Sequence, residues 1–294
     1  MKEKLFDRVA LIGIGLIGSS LARVLRRDSP ETAIVACARR AETLAAVERL
    51  DLADVTTHDP AEAVADADLV VIATPLSAYA EIGQRIGPAL KQGAILTDVG
   101  SVKEAVIRDL SPHVPPGVHF VPGHPVAGTE HSGPEAGFAD LFRDRWCILI
   151  PLPETDATAV AKVGRMWEQA DMRVIRMNAA HHDRVLAMTS HLPHLIAYTI
   201  VGTATSLEES LKSEVIAFSA SGFRDFTRIA ASDPVMWRDI FLNNREAVLE
   251  ILQRFSEDLT ALQRAIRWGE GDTLQELFTR TRAIRRSIIE AKQA

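Results

Sequence analysis

One stretch near the start of the chain decides its fold: RVALIGIGLIG, residues 8–18. Its apolar first half, residues 8–12, predicts a buried strand, and residues 16–25 have the apolar spacing of an amphipathic helix. A G-x-G-x-x-G pattern that joins a strand to a helix is typical of the turn that binds a dinucleotide. The stretch therefore predicts a dinucleotide-binding α/β domain.

Each glycine of this turn has its own expected role. Gly13 permits the tight turn, Gly15 lets the backbone approach a pyrophosphate, and Gly18 lets the helix pack closely on the strand. The phosphates would then meet the positive end of the helix dipole and its free N–H groups, which include those of Leu16 and Ile17. The alternative is a turn whose glycines have only a structural role.

The rest of the N-terminal half alternates short apolar runs with amphipathic segments, which is typical of a doubly wound sheet. The further strands are predicted at residues 33–38, 69–73, 94–98, 119–122, 146–150 and 172–177. Further helices are predicted at residues 41–50 and 156–170. From Ala179 onward the apolar residues recur at helical spacing, and strand-like alternation disappears.

These patterns predict an α/β domain followed by an all-α domain. Residues 1–177 are expected to form a Rossmann-type doubly wound sheet that binds the dinucleotide, and residues 178–294 a helical domain. The last segment, residues 272–294, is expected to form an amphipathic helix with a basic, solvated face.

The composition is that of an ordinary globular protein. Its 294 residues carry 33 Lys and Arg against 39 Asp and Glu, which gives a formal net charge of −6. There is no run of five like charges, so the sequence lacks the basic cluster that is typical of nucleic-acid binding. The two cysteines, Cys37 and Cys147, are too few for a disulfide framework and fit a reducing cytoplasm.

The apolar segment 9–22 superficially resembles the hydrophobic part of a signal peptide. Its glycines are better explained by the dinucleotide turn, and no A-x-A cleavage site follows it. Because the sequence has no stretch of about 18 apolar residues, it predicts no membrane span. We therefore expect a cytoplasmic protein.

The choice between NAD and NADP depends on the end of the second strand, where an acidic residue would bind the ribose hydroxyls. Ala38 stands at that place, and Arg39 and Arg40 follow it. Guanidinium groups match a phosphate, so this segment slightly favours NADP. The alternative is that the arginines begin a solvated helix or stack on the adenine of NAD. Thr74 and Pro75, which follow a buried strand, complete the expected cofactor contacts.

Four further segments, together with the glycine turn, resemble the prephenate/arogenate (cyclohexadienyl) dehydrogenase family. They are TDVGSVK at 97–103, GHPVAGTE at 123–130, SHLPH at 190–194, and GFRDFTR at 222–228 running into SDPVMWRD at 232–239. The resemblance implies oxidative decarboxylation of a cyclohexadienyl substrate with hydride transfer to NAD(P)⁺, giving 4-hydroxyphenylpyruvate or tyrosine in tyrosine biosynthesis. It also implies helical domains that intertwine as a homodimer.

The resemblance assigns His124 as the group that accepts a proton. An imidazole suits proton transfer near neutral pH, and Pro125 favours an extended loop at His124. Ser101 matches the family serine that hydrogen-bonds this histidine and the substrate hydroxyl. A competing interpretation is a capping box, because Ser101 and Glu104 have S-x-x-E spacing.

Arg228 matches the family residue that anchors a substrate carboxylate, a role suited to its two parallel N–H donors. The alternative is an ion pair within a helix, since Asp225 precedes Arg228 by three residues. Glu130 resembles a family acid that contacts this arginine near the entrance of the site.

His191 and His194 stand three residues apart, as a pair of metal ligands can. Pro193 lies between them and no carboxylate or cysteine has matching short spacing, so no metal is predicted. We expect His194 to contact the side-chain carboxylate of the substrate and His191 to support it.

Two other functions remain as alternatives. One is a dehydrogenase of the β-hydroxyacid type. Two features count against it: the helical domain has no clear catalytic lysine at the matching place, and the GHPVAG segment is present. The other is a non-catalytic nicotinamide-binding sensor, against which His124, Ser101 and Arg228 count because all three are present. The sequence leaves prephenate and arogenate undistinguished.

Overall fold

The structure is a computed structural model that describes residues 3–206 and 221–290. The chain divides into two compact units, Met1–Arg245 and Glu246–Ala294. The helices that directly follow residue 178 belong to the first unit, so the predicted domain boundary at residue 177 stays a prediction. Residues 207–220 and 291–294 of the predicted helical domain lie outside the described residues.

A six-stranded parallel sheet runs through the first unit as far as the structure describes it. Its strands are β1 Arg8–Ile12, β2 Ala33–Cys37, β3 Val55–Thr57, β4 Leu69–Ile72, β5 Ile95–Asp98 and β6 His119–Val121. The order across the sheet is β3-β2-β1-β4-β5-β6, with every neighbouring pair parallel. In such a doubly wound sheet ligands bind at the carboxyl edge where the order reverses, which here is beside β1 and β4. The predicted fold class is confirmed.

Burial explains why the central strands are apolar runs. All of β4 and four of the five residues of β1 are buried, because helices cover both faces of the sheet. Within the described residues, the α-helices of the first unit are α1 Leu16–Asp28, α2 Ala41–Arg49, α3 Pro60–Val64, α4 Tyr79–Ile86, α5 Lys103–Leu110, α6 Ala157–Gln169, α7 Ala179–Leu186, α8 Leu192–Thr205, α9 Ser221–Thr227 and α10 Pro234–Asn243.

Three further strands form a separate sheet, β7 Gly123–Pro125, β8 Trp146–Leu149 and β9 Arg173–Arg176. β7 is antiparallel to β8, and β8 is parallel to β9. The strands predicted at 146–150 and 172–177 are therefore present, but outside the doubly wound sheet. The extended loop expected at His124 is instead a short strand, because its backbone pairs with β8, with His124 opposite Ile148.

α7 continues through a π-helical turn, Ala187–His191, into α8. Pro193 lies in the first turn of α8 and has no N–H to return to the preceding turn, which favours the wider π turn before it. By length and composition alone, the run Ala179–Thr205 could span a membrane, with a mean hydropathy of 1.2 in its apolar window. Of that window 28% is buried, and the buried Asp183 of the same run accepts backbone hydrogen bonds from α5. The absence of a membrane span stays a prediction.

The described residues of the second unit form two helices that are joined by a short turn. They are α11 Arg245–Trp268, whose first residue belongs to the first unit, and α12 Gly271–Glu290. α12 confirms the helix predicted at 272–294 as far as residue 290. Large apolar side chains are exposed on both helices: Leu249, Leu259 and Ile266 on α11, and Phe278 and Ile284 on α12.

Candidate active site

The glycine turn has the backbone that its sequence predicts. Gly13 has a φ of +94°, and a Cβ there would lie 2.6 Å from the carbonyl oxygen of Ala73. A Cβ on Gly18 would overlap the carbonyl oxygen of Gly13, so only glycine lets α1 pack this closely. A Cβ on Gly15 would meet no atom within 4 Å. The open side of the turn is therefore at Gly15, where the expected pyrophosphate would lie.

The start of α1 can receive an anion. Gly15 is the N-cap residue and no side chain caps the helix. The first N–H groups, which include those of Leu16 and Ile17, have no intrahelical acceptor and lie at the positive end of the helix dipole. Thr74 stands beside this turn, and its buried hydroxyl has no hydrogen-bond partner within the described chain. The exposed Pro75 follows it. This arrangement fits a dinucleotide.

The end of β2 has basic side chains. Ala38 occupies the position where an acid would bind the ribose hydroxyls. Its carbonyl oxygen accepts a hydrogen bond from His58 Nδ1 at 2.9 Å. Arg39 and Arg40 are exposed, and Arg40 is the N-cap residue of α2. Both guanidinium groups are therefore accessible at the end of the strand.

A buried ion pair lies at the same carboxyl edge of the sheet. Asp98, the last residue of β5, and Lys103, the first of α5, are fully buried with Nζ and Oδ2 2.6 Å apart. Asp98 Oδ1 accepts the N–H of Gly123 at 3.1 Å, and Lys103 Nζ donates to the Gly123 carbonyl oxygen at 2.5 Å. The pair thus holds both polar groups of the residue that precedes His124.

His124 is buried on β7 and contacts a second histidine. Its Nδ1 lies 2.8 Å from Nε2 of His182 on α7. Burial is the main cause that lowers the pKa of His124 well below its usual value, and the nearby His182, Lys103 and His191 lower it further. A neutral imidazole is therefore expected at neutral pH, as a proton acceptor requires.

Neither the hydrogen bond predicted between Ser101 and His124 nor the capping box of Ser101 and Glu104 occurs in the structure. Ser101 is half-buried, and no hydrogen bond joins it to His124, whose Nδ1 partner is His182. The S-x-x-E capping box with Glu104 is also absent, because α5 begins at Lys103 with Val102 as an N-cap residue that makes no side-chain hydrogen bond. Ser101 as a catalytic residue stays a prediction.

The cap of α5 comes from a distant part of the chain. The Asp183 carboxylate accepts the N–H of Lys103 at 2.8 Å and the N–H of Glu104 at 2.9 Å. Asp183 also accepts a hydrogen bond from Nδ1 of the adjacent His182 at 2.7 Å. A carboxylate at a helix N-terminus is favoured by the helix dipole. The same carboxylate holds His182, whose other ring nitrogen contacts His124.

His191 is buried with one ring nitrogen unpaired. Nδ2 of Asn244 donates to the carbonyl oxygen of Asp183 at 2.8 Å and lies 3.0 Å from His191 Nδ1. His191 Nδ1 is therefore an acceptor, and the neutral ring carries its proton on Nε2. Burial lowers the pKa of His191 to about 4, and its Nε2 has no partner within the described chain. His191 thus presents a buried N–H donor that a ligand could satisfy.

His194 packs on Trp237 of α10. The two rings are stacked, with centroids 3.6 Å apart and planes inclined by 22°. Nδ1 of His194 donates to the carbonyl oxygen of Ser190 at 2.8 Å, which leaves Nε2 as the acceptor. His191 contacts the edge of the same indole, with centroids 6.1 Å apart, so the two histidines are arranged around Trp237. No metal-binding cluster of His, Cys, Asp or Glu occurs within the described chain.

Arg228 contacts Glu130. Arg228 Nη1 lies 3.2 Å from Glu130 Oε2, and the Arg228 side chain is 60% exposed. The alternative pair with Asp225 is not formed in the structure. Arg228 is also among the causes that lower the pKa of His194, which indicates that the guanidinium faces the same site.

Sequence reasoning identified His124, His191 and His194 but missed His182 and Asp183. The dipeptide stands in the printed sequence as part of AAHHD, residues 179–183. A His-Asp pair near a helix start is a weak signal by itself, because only the fold shows which distant residues it faces.

A glycine turn at the switch point of a doubly wound sheet, with a buried neutral histidine at the same edge, defines a nicotinamide-dependent dehydrogenase. Two family models match the chain, Prephenate dehydrogenase, nucleotide-binding domain, over residues 21–176 and Prephenate dehydrogenase, dimerization domain, over residues 178–280. The chain belongs to the prephenate dehydrogenase family.

Characterised relatives agree with this placement. The chain is 41% identical over 283 residues to a cyclohexadienyl dehydrogenase of Zymomonas mobilis, covering 96% of each chain. A crystal structure of Aquifex aeolicus prephenate dehydrogenase in complex with hydroxyphenyl propionate and NAD⁺ superposes with a TM-score of 0.90 at 32% identity, covering 98% of this chain and 100% of that one. Synechocystis arogenate dehydrogenase has a TM-score of 0.78 at 28% identity, with coverage of 95% and 98%.

Proposed function

We propose that this chain catalyses the oxidative decarboxylation of prephenate, arogenate or both, to 4-hydroxyphenylpyruvate or tyrosine, in tyrosine biosynthesis. The names of the relatives indicate that they act on substrates of this class. The observation that carries the proposal is the buried, neutral His124 at the carboxyl edge of the sheet, in a chain of this family. A bound nicotinamide supplies the hydride acceptor.

His124 takes the role of proton acceptor and donor. Its Nε2 accepts the proton of the ring hydroxyl as the carbon that bears this hydroxyl loses hydride, so that a ring carbonyl forms. Carbon dioxide then departs from the opposite ring carbon, and the electrons of the broken bond make the ring an aromatic phenolate. His124 returns the proton to the phenolate oxygen, so the step requires no net proton.

Charged and polar groups orient the substrate by its carboxylates. The Arg228 guanidinium uses one N–H group towards Glu130 and has further donors for a carboxylate. The unpaired Nε2–H of His191 supplies a further donor for a carboxylate. His194 supplies one only when its ring is protonated, because its Nδ1–H is used on Ser190 and Nε2 of the neutral ring is an acceptor. Trp237 contacts both rings as an apolar surface. Ser101 contacts the hydroxyl group of the substrate in this proposal. No metal takes part in this proposal.

We propose that Gly13, Gly15, Gly18 and the N–H groups of the first turn of α1 hold the pyrophosphate. Thr74 and Pro75, which follow β4 beside the glycine turn, complete the proposed cofactor contacts. The exposed Arg39 and Arg40 after Ala38 slightly favour NADP over NAD, although the Aquifex relative was crystallised with NAD⁺. Arg39→Ala should weaken NADP⁺ binding more than NAD⁺ binding, and an equal effect on both would remove the arginine from 2′-phosphate recognition.

The helical part is proposed to form a homodimer. A dimerization-domain model matches residues 178–280, and the exposed apolar side chains of α11 and α12 supply surface that a second copy could cover. Light scattering should give twice the mass of 32.1 kDa. We place the enzyme in the cytoplasm, with no nucleic-acid or membrane partner.

Steady-state assays with prephenate and arogenate, each with NAD⁺ and NADP⁺, test the function. At least one of the four combinations should produce reduced nicotinamide and carbon dioxide in equal amounts. If none does, the enzymatic proposal is wrong. Cofactor binding without turnover would favour the sensor alternative.

A further inference from the structure

His124 is the first ring of a hydrogen-bonded chain that ends on a carboxylate. His124 Nδ1 lies 2.8 Å from His182 Nε2, and His182 Nδ1 lies 2.7 Å from Asp183 Oδ1. The three residues are 7%, 0% and 2% exposed. Two backbone N–H groups of α5 hold the Asp183 carboxylate from its other side. These three hydrogen-bonded side chains are therefore buried, and the carboxylate at the far end is held by the protein backbone.

The direction of these hydrogen bonds follows from the carboxylate. An ionised carboxylate can only accept, so His182 Nδ1 must carry a hydrogen. Burial lowers the pKa of His182, so the ring is neutral at neutral pH and its Nε2 is bare. A bare Nε2 can only accept, so His124 Nδ1 carries the hydrogen between the rings. A neutral His124 then has a bare Nε2.

We propose that His182 and Asp183 are positioning residues that fix His124 in the tautomer whose Nε2 is free to accept the substrate proton. The proposal rests on the proposed function for the role of His124 as the base. It does not depend on which substrate is used, because the tautomer is set by the protein alone.

The same hydrogen-bonded side chains also stabilise the protonated state of His124. When Nε2 gains a proton, the Nδ1–H bond to His182 remains, and the Asp183 carboxylate lies beyond that ring. The other titratable groups that influence the His124 ring are Lys103 of α5, which is paired with Asp98, and His191 of the π turn. The Cys147 thiol of β8 contacts the backbone N–H of His124. Lys103 disfavours a cationic His124, so the negative charge of Asp183 is needed to offset it.

Two substitutions of His182 separate tautomer control from structure. In His182→Gln an amide oxygen replaces the bare nitrogen and can still accept from His124 Nδ1–H, so kcat should be largely retained. In His182→Leu no acceptor remains, the unproductive tautomer becomes populated, and kcat should fall on the order of 10²-fold with the cofactor Kd unchanged. His181→Leu, one residue away and exposed, is the matched control and should retain kcat.

Equal kcat losses in His182→Gln and His182→Leu would overturn the proposal, since a lost acceptor would then not be the cause. Unchanged kcat in His182→Leu would overturn it as well. The tautomer can also be read directly, without a variant of His182, by NMR of protein labelled with nitrogen-15 histidine, assigned through loss of the His124 signals in His124→Asn. A protonated Nδ1 and bare Nε2 on His124 supports the proposal, and the reverse overturns it.

The NMR measurement needs no substrate, so the two proposals fail separately. If wild-type protein turns over neither prephenate nor arogenate, the proposed function is wrong while the tautomer result still stands. If it turns over a substrate but His124 carries its proton on Nε2, the function stands and the positioning role does not.

Discussion

Lys103→Met tests how the protein holds its candidate base in place. The Lys103 ammonium and the Asp98 carboxylate are both fully buried and 2.6 Å apart. Lys103 Nζ also donates to the carbonyl oxygen of Gly123, directly before His124. Methionine fills a similar volume without a charge, so the variant isolates the loss of the ion pair and of this hydrogen bond.

Removal of one partner from a buried ion pair typically costs about 3–5 kcal/mol, because the remaining charge stays in a poorly solvated interior. Asp98 keeps three donors in the variant, namely the N–H groups of Gly100 and Gly123 and the hydroxyl of Tyr79. These donors stabilise the unpaired carboxylate, so we expect the lower end of the range, about 3 kcal/mol.

Urea unfolding followed by tryptophan fluorescence measures the loss, with both proteins at one protomer concentration because association contributes to stability. Lys91→Met is the matched control. Lys91 Nζ lies 2.5 Å from Asp68 Oδ1, but the two side chains are 47% and 28% exposed. Loss of that surface pair should cost much less than loss of the buried one, because solvent screens the two charges.

The variant should also change the pH dependence of turnover. Lys103 is one of the charges that lower the pKa of His124. Without this cation, and with the Asp98 carboxylate unpaired nearby, the pKa of His124 rises, so the acid limb of kcat should move to higher pH. Equal stability losses in Lys103→Met and Lys91→Met, or an acid limb that moves to lower pH, would refute the reasoning.

His124→Asn should lower kcat by about 10²- to 10⁴-fold while calorimetry shows retained cofactor binding, and unchanged turnover would exclude His124 as the base. Gly15→Ala should fold normally, because its Cβ meets no protein atom, but it should bind cofactor weakly because the Cβ occupies the side of the turn proposed for the pyrophosphate. Gly18→Ala should instead lower the melting temperature, because its Cβ meets the Gly13 carbonyl oxygen. Wild-type cofactor affinity in Gly15→Ala would contradict this assignment. Burial lowers the pKa of His191 from 6.5 to about 4, so between these pH values the folded state binds fewer protons than the unfolded state. Roughly 3 kcal/mol of folding stability should therefore be lost as the pH falls from 6.5 to about 4. His191→Gln should lose less over that range in urea unfolding, and an identical pH dependence would exclude His191 as a cause.

Local pattern was sufficient to predict the glycine turn and the elements on either side of it. Residues 8–18 predict a strand, turn and helix because the glycine positions are a backbone requirement, and the structure has β1, the positive φ of Gly13 and α1 as expected. The separate sheet was not predictable in the same way. β7 is three residues long and contains Gly123 and Pro125, so only its pairing with β8 makes it a strand.

The site shows the same division between local and distant causes. Ser101 and Glu104 have the spacing of a capping box, but α5 begins at Lys103 and takes its cap from Asp183, 80 residues further along the chain. The carboxylate offers two oxygens and a full negative charge to the helix start, where a serine hydroxyl offers one neutral acceptor. A tertiary contact of this kind overrides the local capping signal, and residues 101–104 contain no pattern that predicts it.

As the proposed base, His124 has to meet two opposing electrostatic requirements. A proton acceptor must be neutral before the reaction, and burial together with Lys103 ensures this by lowering the pKa of His124. The same influences weaken the imidazole as a base, because they disfavour the cation that forms when the substrate proton arrives. Asp183, acting through His182, offsets that cost only along the hydrogen-bonded chain, since the carboxylate raises the pKa of His182. Removal of the Lys103 or the Asp183 charge should therefore change the proton affinity of His124, although neither group contacts the substrate in this proposal. The proposal thus assigns these buried groups a role in the proton transfer as well as in the packing around His124.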